Sequence, residues 1–293
     1  MYINNNLMAL NVSNTLASHY SNLQTSTKRL SSGLRITSSA DDAAGLAIRE
    51  LMRADIAALN QGVRNANDAI SLIQTADGAL GVIDEKLIRM KELAEQAATG
   101  TYDSTQRLMI ESEYQAMASE ITRIANATDF NGVHLLNGNL SGKHNGSGIT
   151  ATGALKVHFG SGNDSAEDYY YIEIGNATAS ALGLGNAAAA GSGFSISTQD
   201  AAQKALTAIN NAIVSKDKIR ANLGAMQNRL ENTISNLTTQ AENLQAAESR
   251  ISDVDVAAEM TQFVRNQILT QAAVAMLSQA NSMPRMALSL IGG

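Results

Sequence analysis

Residues 46–98 read LAIRELMRADIAALNQGVRNANDAISLIQTADGALGVIDEKLIRMKELAEQAA. Within them Met52, Ile56, Leu59, Val63, Ala66, Ile70, Ile73, Leu80, Leu87, Met90, Ala94 and Ala97 follow one another at steps of three, four or seven, with polar residues between. That is the period of one helix face, and no proline interrupts it. The spacing predicts a single helix of roughly 80 Å at 1.5 Å per residue. Gly78 and Gly81 inside TADGALG follow no strand, so they resemble no phosphate loop. Close helix packing is the reading they favour.

Downstream, TGTYDSTQ (99–106) breaks the pattern, and Asp103 with Gln106 has the spacing of a capping box for a second helix. Ile110, Tyr114, Met117, Ile121 and Ile124 stripe that helix, which is expected to end near ANATDFNG. A third long helix is predicted from STQD, with Ser197 as its N-cap, to about residue 250 through Leu206, Ile209, Ile213, Leu223, Met226, Leu230, Leu237 and Leu244. Between these helices, NGNLSGKHNGSGITATG (137–153) reads as loop. LKVHF, GSGND and YYYIEI read as strand, turn and strand, a small antiparallel β region. The fold class is therefore mainly α: an elongated long-helix bundle with a short β insert, to which the termini add a helical pair.

The termini are unlike the rest. Met1 to Thr27 contains no charged side chain, and the last 26 residues, ILTQAAVAMLSQANSMPRMALSLIGG, contain only Arg285. Leu16, Leu23 and Leu30 repeat every seven residues, with Tyr20 and Leu34 on the adjoining line. Leu269, Met276, Met283 and Leu290 do the same at the other end, flanked by Ala273, Ala280 and Ala287. Polar residues from Thr270 to Ser282 and the lack of an aromatic belt argue against membrane insertion. Ordering this final segment costs about 1–2 kcal/mol per residue in backbone entropy, and burying its four large stripe residues returns only about 1.5–3 kcal/mol each. Alone, each end is expected to be disordered. Packed together, the pair still exposes apolar surface, which favours burial between copies of the chain. Pro284 removes one N–H donor and is expected to bend this helix.

Five segments follow from this reading: 1–45 a terminal coiled-coil strand with linker, 46–140 and 197–250 the two parts of the long-helix core, 141–196 a short variable outward region, and 251–293 the second coiled-coil strand.

Composition excludes several classes of function. The chain has 293 residues, no Cys or Trp, 4% aromatics and a formal net charge of -6. Thiol nucleophiles, disulfides and iron–sulfur clusters are ruled out, and the acidic balance argues against a nucleic-acid partner. His19, His134, His144 and His158 lie on different elements without metal-ligand spacing, so no metal site and no cofactor is expected. Asp41-Asp42 lacks a neighbouring nucleophile and reads as a polar turn or helix start. The sequons at Asn126, Asn139, Asn145, Asn163 and Asn176 are what an Asn- and Ser-rich chain produces by chance. MYINNNLMALNVSNTLASHY lacks the basic and apolar regions of a cleavable secretion signal.

Several stretches, in order, resemble bacterial flagellins: INNNLMALNVSNTL, TKRLSSGLRITSSADDAAGLAIRE, ISLIQTADGALG and DFNGVHLLNG in the first half. STQDAAQKALTAINNAI, NRLENTISNL, ESRISDVDVAAEM and QILTQAAVAMLSQANSMPRMALSLI follow in the second. Together they cover roughly residues 1–140 and 195–293, and the short middle resembles that of a minimal flagellin without large outer domains. The resemblance implies a non-enzymatic subunit that polymerises into the flagellar filament for swimming motility. Its paired termini would line an inner tube, and it would be secreted by type III export without a cleaved signal peptide to an extracellular position. It also implies partners: other copies of the chain, an export chaperone holding the C-terminal segment, a filament cap protein and hook–filament junction proteins. A junction protein of the same family is the alternative role. Receptor-sensed flagellins carry an arginine, a leucine and a glutamate that match Arg89, Leu93 and Glu113 here, which implies possible contact with Toll-like receptor 5.

Overall fold

The structure is a computed structural model that describes residues 6–142, 153–164, 167–185 and 195–291. His144 and Asn145 lie outside the described residues, as does the side chain of Leu290. Five helices carry the described chain: α1 (Leu7–Ser32), α2 (Ala43–Ala98), α3 (Ser104–Ala127), α4 (Gln199–Ser252) and α5 (Val256–Ile291). Four short strands lie between α3 and α4: β1 (Asp129–Phe130), β2 (Val133–His134), β3 (Leu155–His158) and β4 (Tyr169–Ile172). The residues divide into two compact units, Met1–Ile56 with Glu242–Gly293, and Ala57–Ala241.

In the unit Ala57–Ala241 most of the predicted stripe of α2 is buried in the core, with Val63 and Ile70 half-buried. Leu59, Ala66, Ile73, Leu80, Leu87, Met90, Ala94 and Ala97 are all buried, joined by Tyr114 and Ile121 of α3 and by Ile209, Leu223 and Leu230 of α4. With almost no large aromatics, the core is filled by aliphatic side chains interleaved with alanine. Charge pairs set the register of α2 against α4. Arg220 Nε binds Asp77 Oδ1 at 2.7 Å, and the buried Lys216 ammonium lies 2.5 Å from Asp84 Oδ1 and 2.8 Å from Asp217 Oδ1. The hydrogen bond to Asp77 foremost, and then the charges of Asp77, Asp84 and Asp217, raise the Arg220 guanidinium above its ordinary value.

Helix ends follow local chemistry. Asp103 and Gln106 form the expected capping box, with Gln106 Oε1 accepting from the Asp103 N–H at 3.1 Å. The start of α4 is a correction: Thr198, not Ser197, caps it, its hydroxyl accepting from the Ala201 N–H at 3.3 Å. Ser197 instead donates its N–H to the Ser195 hydroxyl oxygen at 3.2 Å and lies two residues before the first helical residue, Gln199.

Leu155 pairs with Ile172 and His158 with Tyr169, the antiparallel hairpin that LKVHF and YYYIEI suggested. A second hairpin, β1–β2, was not anticipated; Asn131 and Gly132 turn it with φ of 51° and 81°. Both central residues at positive φ is the two-residue hairpin turn that Asn-Gly favours.

Gly78 and Gly81 are a further correction, since a side chain at either would meet nothing within 4 Å. The close approach is at Gly62, where an added Cβ would lie 1.9 Å from the carbonyl oxygen of Phe159. There the end of β3 rests directly on α2, and Asn65 Nδ2 donates to the His158 carbonyl at 2.8 Å.

Replacing glycine within a helix by alanine is ordinarily worth about 1 kcal/mol. Gly224→Ala, with open space around it, is expected to raise stability by up to about that amount, whereas Gly62→Ala is expected to lower it. Urea denaturation of the two variants checks the difference in sign.

Candidate functional site

In the unit formed by the chain ends, α1 and α5 run antiparallel. Asn6 lies at Ala280, Arg29 at Glu259 (3.7 Å), and Leu34 forms a bridge with Asp253. Their Cα atoms approach within 8 Å repeatedly along the pair. Small and short side chains permit this: Ser26 of α1 and Thr270, Ala273 and Ala280 of α5 are the buried residues of the seam. Leu16, Leu23 and Leu30 are half-buried alongside them.

The large C-terminal stripe behaves differently. Met276 is 56% exposed, and Leu269 and Met283 are also exposed; the alanine line beside them is what faces α1. The sequence placed both lines on α5 without deciding which turns inward. Close packing selects the smaller side chains, leaving the larger ones outside with Ile268, Val274 and Met286. Tyr20 on α1 is 54% exposed and lies off the seam. Leu34 does not belong to the α1 stripe at all. Gly33, at φ 72°, ends the helix in the left-handed region, and Leu34 sits one residue beyond. The pair thus presents apolar side chains outward on both helices, including Leu7, Met8 and Leu10 at the start of α1.

Linkers set where these helices begin and end. The Gly33 carbonyl accepts from the Val254 N–H at 3.0 Å, and the Arg35 N–H donates to the Ser252 carbonyl at 2.7 Å. Asp42 Oδ1 accepts from the Gly45 N–H at 2.9 Å, so it starts α2, while Asp41 gathers the turn before it. One Asp41 oxygen accepts from the N–H and hydroxyl of Thr37 and of Ser38. Those hydrogen bonds, Thr37's first, lower the Asp41 carboxyl from its ordinary 3.8 to about 2.

Arg89 and Glu113 are brought together on the surface of the other unit. The guanidinium donates to Glu113 Oε1 at 2.9 and 2.7 Å and to Glu92 Oε2 at 2.9 Å. Leu93, 1% exposed, points into the core beneath them. Among the described residues no cluster of His, Cys, Asp or Glu could hold a metal ion, and no helix is long and apolar enough to cross a membrane.

The model of the bacterial flagellin N-terminal helical region matches residues 3–141, and that of the C-terminal helical region matches residues 206–291. A Treponema pallidum protein, flagellin FlaB2, is 41% identical over 291 residues, which is 99% of this chain and 100% of that one. The chain belongs to the bacterial flagellin family. The flagellar filament 33 kDa core protein of Treponema phagedenis is likewise 41% identical over 99% of this chain and 100% of its own. A structure of a putative flagellar hook-associated protein from Vibrio parahaemolyticus, 15% identical with a TM-score of 0.55, covers 73% of this chain and 100% of that one. At that identity it shares the fold alone. Both flagellin regions fall on helices: the first match runs from α1 to the β1–β2 hairpin and the segment after it, and the second covers most of α4 and α5.

Two outcomes follow for this flagellin. Ala273→Met is expected to force α1 and α5 apart and to cost about 1–3 kcal/mol through overpacking, whereas Met276→Ser is expected to change monomer stability by less than about 0.5 kcal/mol; denaturant melts of the monomer check both. A depressed carboxyl pKa means that Asp41's contribution is whole above pH 3.8 and is lost as pH falls through about 2. Hydrogen exchange of the Thr37 and Ser38 amides is therefore expected to accelerate over that window, and Asp41→Asn to be fast already at neutral pH.

Proposed function

We infer that the chain is the structural subunit of a flagellar filament, with no enzymatic role. The carrying observation is full-length similarity to flagellins and a filament core protein, together with a terminal helix pair that keeps its large apolar side chains outside. Burying each of these side chains between copies is worth about 1.5–3 kcal/mol. Summed over many identical subunits, that term opposes the entropy of ordering the ends. A head-to-tail contact whose rotation does not close extends into an open helical filament. The hook–filament junction role is not favoured, since the likeness to a hook-associated protein is one of fold only.

The finer partners come from the family resemblance. An export chaperone would cover the exposed face of α5 before assembly, and a cap protein and junction proteins would meet the ends of the polymer. Type III export, which the family resemblance implies, would place the working protein outside the cell. Recognition by Toll-like receptor 5 would use the exposed Arg89–Glu113 pair, with Leu93 supporting the helix from below. Reporter cells carrying that receptor are expected to respond to the protein and to lose the response with Arg89→Ala; silence toward the unmodified protein refutes this contact.

Assembly itself has a direct test. Met276→Ser, neutral for the monomer, is expected to raise the critical concentration for filament growth by about tenfold or more, equivalent to about 1.4 kcal/mol per subunit. Sedimentation and electron microscopy of salted-out protein read this. Filaments growing at the unmodified concentration threshold refute the role of this face.

A further inference from the structure

Pro284 lies inside α5, and the helix continues past it to Ile291. Its nitrogen carries no hydrogen, so the carbonyl of Ala280, four residues earlier, lacks the donor that an uninterrupted helix supplies. Ala280 is 6% exposed on the seam with α1, where an unpaired carbonyl is costly.

The missing donor arrives from the other end of the chain. Asn6 Nδ2 donates to the Ala280 oxygen at 2.8 Å. The same side chain is the N-cap of α1, its Oδ1 accepting from the Ala9 N–H at 3.1 Å. These two bonds determine the orientation of the amide, because the oxygen must face the N–H and the nitrogen must face the carbonyl. Serine, aspartate and asparagine all cap helices well. An asparagine alone combines a cap acceptor with an amide donor that reaches this carbonyl. Aspartate has no donor, and a serine hydroxyl ends one bond short of the amide nitrogen.

We propose that Asn6 and Pro284 form a conditional latch: Pro284 opens one acceptor in α5, and Asn6 closes it while capping α1. The Ala280 carbonyl, inside α5, is then satisfied only when the start of α1 lies beside it in register. The two chain ends consequently order together, at one fixed offset, although 274 positions separate the bonded residues. Pro284 thus acts as a registration point rather than a defect. The consequence for polymerisation rests on the filament reading above; the latch itself is a property of a single chain.

A double-mutant cycle tests it. Asn6→Ser keeps the cap and removes the donor, and Pro284→Ala returns an N–H to the Ala280 carbonyl. Amide hydrogen exchange of the full-length monomer is read over the first turn of α1 and residues 277–283, the stretch before Pro284. Asn6→Ser is expected to speed exchange there by about tenfold in the native background, and by less than about twofold when Pro284→Ala is also present. An equal acceleration in both backgrounds shows that Asn6 only caps α1 and overturns the latch, as does no acceleration in either. The same four proteins are compared for critical concentration, where Pro284→Ala is expected to rescue the assembly loss of Asn6→Ser. Coupling in exchange without filaments from the unmodified protein upholds the latch and refutes the filament reading.

Discussion

The close antiparallel approach of α1 and α5 is the contact on which the unit formed by the chain ends depends. Two helices can lie this near only if the residues between them are small, and Ser26, Ala273 and Ala280 meet that condition. The same choice has a cost. Every large apolar side chain kept out of the seam is turned toward solvent, so the pair satisfies its backbone while leaving its hydrophobic surface unburied. A soluble monomer rarely carries that much exposed apolar surface without a use for it. On the filament reading proposed above, the chain ends fold as half of a contact whose other half comes from other copies of the chain.

The unit Ala57–Ala241 solves a different problem. Its helices are spaced by layers of Leu, Ile, Met and Tyr114, and cross-helix charge pairs at Asp77–Arg220 and Asp84–Lys216 oppose slippage. Buried charges seldom add much stability over a hydrophobic alternative. Their value here is register, because a one-turn slide of α4 along α2 would leave the Lys216 ammonium buried without Asp84.

Much of this was legible in the sequence, for a physical reason. In α2 the apolar residues concentrate on one side, although Ile48, Leu51, Val82 and Ile88 lie outside it, so period identifies the inward face, and Leu59, Ile73, Leu80, Leu87 and Met90 of the predicted stripe lie in the observed core. The capping box at Asp103 and the β3–β4 hairpin were legible because both depend on neighbours in sequence. In α5 apolar residues occur all around the helix, and period cannot say whether the Ala273 line or the Met276 line turns inward. The Gly62 contact with Phe159 and the Asn6 bond to Ala280 join residues 97 and 274 positions apart, so no local pattern signals them. The β1–β2 hairpin did carry a local signal, Asn131-Gly132, which the end of α3 overshadowed.

The absence of cysteine from the sequence makes the central claim directly measurable. A single cysteine introduced by Met276→Cys is the only thiol in the protein, and its rate of reaction with a soluble maleimide reports exposure of the outward face. Burial of this face between copies gives fast labelling in the monomer and strong protection in the assembled filament, with Ala273→Cys protected in both as the seam control. Equal, fast labelling of the position 276 thiol in monomer and filament would contradict burial of this face between copies.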